Sequence, residues 1–288
     1  MLGLKYGCTF GIMEVTMKMS KIVVCALGVV MLANSAFAHD VKLKEQELPF
    51  GFPSYFEYSF DYASRYMSEG YVEDPNYNYT RILTLGWSIT DNLSFHIGGL
   101  ERVEHLNKFF SDVAELDCFA GLSLTLPDVP GLGAMEFNMD YIYYNYPHDG
   151  AHTHDVDNKE YEIDINATEL FLKPGIAFVH DFENDAIKAN VNATYELNLE
   201  RICKFLVFEC PMEFWFGNHQ YSGCTEHLAA YSLCISPALK IKIKDIIFLG
   251  VFTQMSWALD SDVRRYWKDD KDNNSFNMCW GLNFTISI

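Results

Sequence analysis

Positively charged residues are scarce in this sequence. Lysine and arginine total 21, against 39 aspartates and glutamates, so the formal net charge is −18 at pH 7. A protein that binds nucleic acid needs a basic surface to neutralise the phosphates. We therefore expect no nucleic-acid partner.

Long apolar runs are also scarce. The run at Ile22–Leu32 is far shorter than the roughly 20 residues that a transmembrane helix needs, and none that would suffice follows Ala38. Lys18 and Lys21 precede this run, and small residues at Ala36 and Ala38 follow it. This pattern predicts a secretory signal peptide over residues 1–38, cleaved after Ala38, so the protein is exported.

The predicted signal peptide also bears on where translation starts and on where the mature domain begins. Met17 or Met19 would give a signal of more ordinary length than Met1. Cleavage removes three lysines and one glutamate, which makes an already acidic chain more acidic. Residues 39–288 are then predicted to form a single domain.

No C-x-x-C pair occurs, so we expect neither a zinc nor a redox site of that kind. Export permits disulfides, and both a disulfide and free buried thiols stay open for the cysteines of the mature chain. These are Cys118, Cys203, Cys210, Cys224, Cys234 and Cys279.

Strict alternation is the strongest positive feature. From Phe276 to Ile288, every even position is apolar and every odd position is small or polar. A period of two gives a strand one oily face and one polar face. Such a strand is an aggregation hazard at the edge of a soluble sheet, but it suits a barrel between lipid and a polar lumen. We expect Cys279 to point inward and Trp280 outward.

The same alternation recurs along residues 39–288, in segments separated alternately by long polar loops and short turns. The long loops are predicted at 67–78, 104–112, 146–158, 217–226 and 259–275, and the short turns at 90–92, 127–133, 172–174, 200–203 and 244–245. This sorting is typical of outer-membrane barrels. The sequence therefore predicts an all-β, antiparallel, up-and-down transmembrane β-barrel of about twelve strands, in the outer membrane of a Gram-negative-type bacterium. The last strand should pair with 55–66 and with 246–258.

Three short stretches resemble a family of outer-membrane porins, the TorF-like group. They are Ser64–Tyr66 with Gly70, the segment Tyr141–Pro147, and Trp257–Asp262 ahead of Trp280. The resemblance implies an outer-membrane barrel with a transport role and supplies no catalytic residues. For an outer-membrane barrel, we expect outer-membrane lipid, small solutes and the barrel-assembly machinery as partners. The oligomeric state stays open.

Charged residues at inward positions are the candidate lumen lining. Carboxylates dominate this set, so a wet lumen would favour cations or neutral solutes over anions. A plugged lumen, in which these groups only hydrogen-bond to each other, is the alternative. The candidates are Glu57, Asp61, Arg65, Asp117, Glu136, Asp140, Glu162, Asp164, Lys188 and Glu196.

Other chemistry has weaker support. His148, His152, His154 and Asp155 offer transition-metal ligands, but nothing in the sequence fixes a geometry, and a solvated loop is the simpler interpretation. Lipid hydrolysis would need a serine beside a histidine, and the nearest approach is the N-H-Q-Y-S-G segment at 218–223. We expect no catalytic residues and no cofactor. A non-conducting structural or surface-interaction barrel is a further alternative to a porin.

Overall fold

The computed structural model describes residues 53–104, 112–146, 158–182, 185–199, 201–218, 229–244, 246–269 and 272–288. These residues form fifteen strands and one helix. The elements are β1 (Tyr55–Ala63), β2 (Tyr66–Ser68), β3 (Tyr71–Asp74), β4 (Asn78–Ser88), β5 (Leu93–Glu104), β6 (Asp112–Val129), β7 (Gly133–Tyr144), β8 (Asn158–Ala167), β9 (Gly175–Asp181), β10 (Ala186–Asn198), β11 (Leu206–Gly217), β12 (Ala229–Ile235), β13 (Ala238–Ile243), β14 (Ile247–Ala258), α1 (Ser261–Asp269) and β15 (Phe276–Ser287).

A single antiparallel sheet closes on itself to form the wall. Its order is β10-β9-β8-β7-β6-β5-β4-β1-β15-β14-β12-β11-β13, and β10 also pairs with β11. Both β12 and β13 lie between β11 and β14, so they are two halves of one wall strand. The break falls at Ser236-Pro237, where proline has no N–H to give to the ladder.

Counting these halves as one, twelve strands form a closed barrel. The predicted antiparallel barrel of about twelve strands is therefore confirmed. The last strand pairs with β1 and β14, as expected. No helix in the described ranges is long and apolar enough to cross a bilayer.

Cross-strand register separates the two faces of the wall. One row, which runs from β5 to β9, is entirely apolar, and its side chains are 37–49% exposed. It consists of Phe95, Leu122, Met139, Ile163 and Phe178. The adjacent row, shifted by one residue, is mainly polar and consists of His96, Gly121, Asp140, Glu162, Val179 and Lys188.

The apolar face lies outside the barrel and the polar face lies inside. On β15, Cys279 is only 2% exposed, whereas its neighbour Trp280 is 48% exposed. Cys279 is therefore inward and Trp280 outward, as the alternation predicts. This arrangement reverses that of a soluble barrel, where the apolar side chains fill the interior.

Two segments depart from the predicted strands and loops. The first strand was expected to extend to Tyr66, but β1 ends at Ala63. The long loop predicted at 67–78 contains the β2–β3 hairpin, and the loop predicted at 259–275 contains α1. Both segments pack against the barrel, and tertiary contacts of this kind leave no period in the sequence.

Candidate functional site

The β2–β3 hairpin is a tight turn with a crowded tip. Glu69 and Gly70 have φ values of 50° and 93°, as the two central residues of a type I′ hairpin require. A Cβ on Gly70 would lie 2.8 Å from Ser256 Cβ and 3.0 Å from Cys234 Sγ. Glycine is needed here for both the backbone conformation and the close approach to the wall.

Three wall strands donate hydrogen bonds to the hairpin tip. Ser232 Oγ, on β12, donates to the Glu69 carbonyl at 2.6 Å. Ser256 Oγ, on β14, donates to the Gly70 carbonyl at 2.6 Å, and Asn277 Nδ2, on β15, donates to the same carbonyl at 3.2 Å. Because three inner faces converge on one turn, the tip lies inside the barrel.

A buried ion triad holds the Glu69 side chain. Lys188 Nζ, on β10, lies 2.7 Å from Glu69 Oε1 and 3.0 Å from Glu160 Oε1 on β8. Tyr231 donates to the other oxygen of Glu69, and Tyr144 donates to Glu160 Oε2 at 3.0 Å. The hydroxyls and the ammonium together compensate two carboxylates removed from water.

A second cluster holds the base of the hairpin near β5. Arg102 lies 3.4 Å from Glu73 of the hairpin and 2.8 Å from Glu115 of β6. Its guanidinium also sits 4.0 Å from the ring centroid of Tyr66. Burial raises the pKa of the Tyr66 phenol, which therefore stays neutral beside this charge.

The hairpin consequently crosses the lumen. Its base contacts β5 and its tip contacts β10, β12, β14 and β15. In the ring of wall strands, β5 and β10 lie on nearly opposite sides.

The connection between β14 and β15 covers the hairpin. Asp260 caps α1 by accepting from the Asp262 backbone N–H at 2.7 Å. Val263 and Trp267 of α1 are fully buried, in a core with Tyr231 against which Tyr71 packs. Asn273 then pairs with both backbone groups of Val72, accepting at 2.8 Å and donating at 3.0 Å.

Nine of the ten predicted lumen residues share the inner face of the wall, by register and alternation. These nine are Glu57, Asp61, Asp117, Glu136, Asp140, Glu162, Asp164, Lys188 and Glu196. The exception is Arg65, which follows the end of β1 and lines an outward groove at the rim. Several of the nine have partners: Asp61 accepts from Asn283, Asp140 contacts His96, and Glu196 pairs with Lys173.

The hairpin contacts themselves were not predicted from the sequence. Glu69 and Glu73 fell in an assumed polar loop, although the S-E-G-Y segment carries a hairpin signal. Arg102 and Glu160 occupy inward positions of β5 and β8, so the alternation of the sequence was sufficient to predict that they face the lumen.

The remaining candidates have different outcomes. His148, His152, His154 and Asp155 lie outside the described residues, as do His219, Ser222 and Cys224. Cys118, Cys203, Cys210, Cys234 and Cys279 are free thiols. Within the described ranges, no group of three metal-ligating side chains is arranged to hold an ion.

These features define a closed barrel with an apolar outside, a charged inside and a hairpin across its lumen. Among solved structures, the chain is similar to an outer membrane channel from Pseudomonas putida F1, with a TM-score of 0.47 and 10% identity over 86% of this chain and 100% of that one. It is also similar to the KdgM porin, with a TM-score of 0.42 and 8% identity over 81% of this chain and 99% of that one. The Acinetobacter baumannii outer membrane protein Omp33 gives a TM-score of 0.38 and 11% identity over 84% of this chain and 100% of that one.

No family model and no curated protein matches the sequence. Membership of the TorF-like group therefore stays a prediction. Because all three TM-scores are below 0.5, we infer no function from these likenesses.

Proposed function

We propose that this protein is a porin-like channel of the outer membrane, through which small solutes diffuse passively, with the β2–β3 hairpin as its constriction. The supporting observation is the reversed polarity of the wall, with an apolar row outside and a charged row inside. In water, the apolar side chains of the outer face would be exposed to solvent, which is unfavourable. A bilayer would cover them and leave the polar inner face for an aqueous path. The predicted signal peptide supports this location, because it would direct export of the chain.

The charge of the inner face supports a preference for cationic or neutral solutes. Glu136 and Asp140 on β7 and Glu162 and Asp164 on β8 occupy one stretch of the wall. Among the inner cations, Lys188 and Arg102 are each engaged by two or more carboxylates, and Lys240 is paired with Glu209. The surplus negative potential favours cations over anions.

Planar-bilayer recording tests this proposal. Purified protein whose mobility on a gel changes on boiling, as a closed barrel's does, is inserted under a potassium chloride gradient. We expect discrete conductance and a reversal potential of the sign that marks cation preference. A reversal potential of the opposite sign would contradict the charge argument.

A non-conducting structural or surface-interaction barrel is the second candidate, favoured by the contacts of the hairpin with strands on nearly opposite sides of the lumen. A variant in which residues 67–73 are replaced by a short glycine-serine linker separates the two. A constriction predicts that this variant conducts more than the wild type. Absence of current in both proteins, with both correctly folded and inserted, would instead support the non-conducting barrel.

A further inference from the structure

An open groove lies at the rim of the barrel, on its outer side. Its volume is about 550 Å³, and its lining includes Arg65, Tyr77, Phe276, Met278 and Trp280. The last three alternate along β15 with the buried inward residues Asn277 and Cys279, so they belong to the outer face. The groove therefore opens away from the lumen.

Aromatic rings form one side of the groove, and they indicate the depth at which the groove would lie in a membrane. The Tyr77 ring meets Trp280 edge-on, with centroids 6.2 Å apart, and stacks on Tyr62 at 5.8 Å. Tyrosine and tryptophan favour the boundary between hydrocarbon and headgroups, since each has an apolar ring and a polar atom. In a membrane, this rim lies at headgroup depth.

Arg65 brings a positive charge to the groove. Within the described part of the chain it makes no ion pair, although the sequence has 39 acidic residues. Arg81, on the outer face of the neighbouring strand β4, contrasts with it because its Nη2 lies 2.5 Å from Glu101. A partly buried guanidinium without a carboxylate beside it is complementary to an anion, and its planar donors match phosphate oxygens.

We propose that this groove binds an anionic, phosphate-bearing lipid, with the lipid phosphate on Arg65 and an acyl chain against Phe276, Met278 and Trp280. The charge selects the headgroup, and the apolar side chains below it exclude a free phosphate ion as the preferred ligand. The inference rests on the membrane insertion proposed above but not on conduction.

Fluorescence quenching in vesicles tests the site. The protein is reconstituted into phosphatidylcholine vesicles that contain a small fraction of either brominated phosphatidylglycerol or brominated phosphatidylcholine, and tryptophan quenching is compared. One basic residue near a membrane surface contributes about 1 kcal/mol, so we expect an association constant about fivefold higher for the anionic lipid. Arg65→Gln should abolish this preference, and Trp280→Phe should remove most of the quenching that differs between the lipids.

Arg81→Gln is the matched control, since that arginine is already neutralised by Glu101, and it should retain the preference. Equal association of both lipids with the wild type, or an unchanged preference in Arg65→Gln, would overturn the proposal. General quenching by the brominated phosphatidylcholine reports membrane insertion separately. A loss of the preference while this quenching persists therefore rejects the groove without rejecting the membrane barrel. Displacement of the lipid by millimolar inorganic phosphate would also contradict it, because the acyl contacts would then contribute nothing.

Discussion

At the scale of single residues, Lys188 carries the largest expected energetic effect. It is 5% exposed and bridges Glu69 of the hairpin and Glu160 of the wall. Removing the cation leaves two buried carboxylates beside each other without a counter-charge.

We therefore expect Lys188→Met to lower the free energy of unfolding by about 3–5 kcal/mol, or to release the hairpin from the lumen. Urea titration followed by gel mobility measures the first outcome, and an increase in single-channel conductance measures the second. Lys173→Met is the control: Lys173 is 43% exposed in its pair with Glu196, so it should cost no more than about 1 kcal/mol. Equal, small effects of both changes would refute the buried triad.

Strand alternation predicted the orientation of individual side chains well. It put nine charged residues on one face because the wall strands keep a period of two where those residues lie; the register shifts at Arg102/Val103, Leu126/Val129 and Trp215/Phe216 fall elsewhere. Arg65 escaped this rule because β1 ends two residues before it, and nothing in Ser64 or Arg65 marks the end of a strand. The residues that pair with the inward charges lie far away in the sequence. Periodicity predicts which face a side chain is on, but not which distant residue it contacts.

At the scale of elements, Gly70 and Cys234 offer a way to lock the hairpin. A Cβ at Gly70 lies 3.0 Å from Cys234 Sγ, which is close enough for a disulfide after small adjustments. We expect Gly70→Cys to form this bond under oxidation, although the positive φ costs about 1–2 kcal/mol in a residue other than glycine, and the tip must shift because the new Cβ would lie 2.8 Å from Ser256 Cβ. Conductance should be lower in the oxidised variant than after reduction.

Gly70→Cys combined with Cys234→Ala controls for the strain, since it keeps the strained turn but cannot form the bond. If reduction raises the conductance of this double variant equally, the change does not arise from locking the hairpin.

Asn273 should secure the same hairpin from the other side. Its side chain makes both hydrogen bonds to the Val72 backbone, and it is only 2% exposed. Asn273→Ala leaves two buried backbone groups unsatisfied, so we expect a loss of about 1–3 kcal/mol in unfolding free energy. Asn274→Ala, at the exposed neighbouring position, should be nearly neutral in the same urea titration. A neutral result for both would show that the packing of α1, and not Asn273, holds the β14–β15 connection against the hairpin.

The sequence predicts solvated loops for both inserted elements, for an identifiable reason. Residues 67–78 contain glycine, proline, aspartate and asparagine, which are typical of exposed turns. Those residues do form a turn, but its tip contacts wall strands that come more than 150 residues later in the chain. Local composition identifies the turn and cannot reveal where the turn packs.

At the scale of the whole molecule, the charge of the inner wall should set ion selectivity. Asp164 belongs to the carboxylate-rich stretch of β7 and β8. We expect Asp164→Asn to shift the reversal potential toward zero, because it removes one negative charge from the path. Glu169→Gln, in the turn between β8 and β9, removes a charge of the same sign at the end of the barrel and should shift it less. A larger effect of Glu169→Gln would place the selectivity at that end of the barrel.

The position of the hairpin in the chain has a kinetic consequence. Hairpin residues come directly after the first strand, yet Gly70 is held by Ser256 and Asn277, which lie 186 and 207 residues further along. These hydrogen-bond partners of the hairpin are not in place until β14 and β15 have joined the wall. Contacts of such long range form late, because the intervening chain must first be ordered. A hairpin that is made almost first can thus complete its contacts only after the last two strands of the chain have joined the wall.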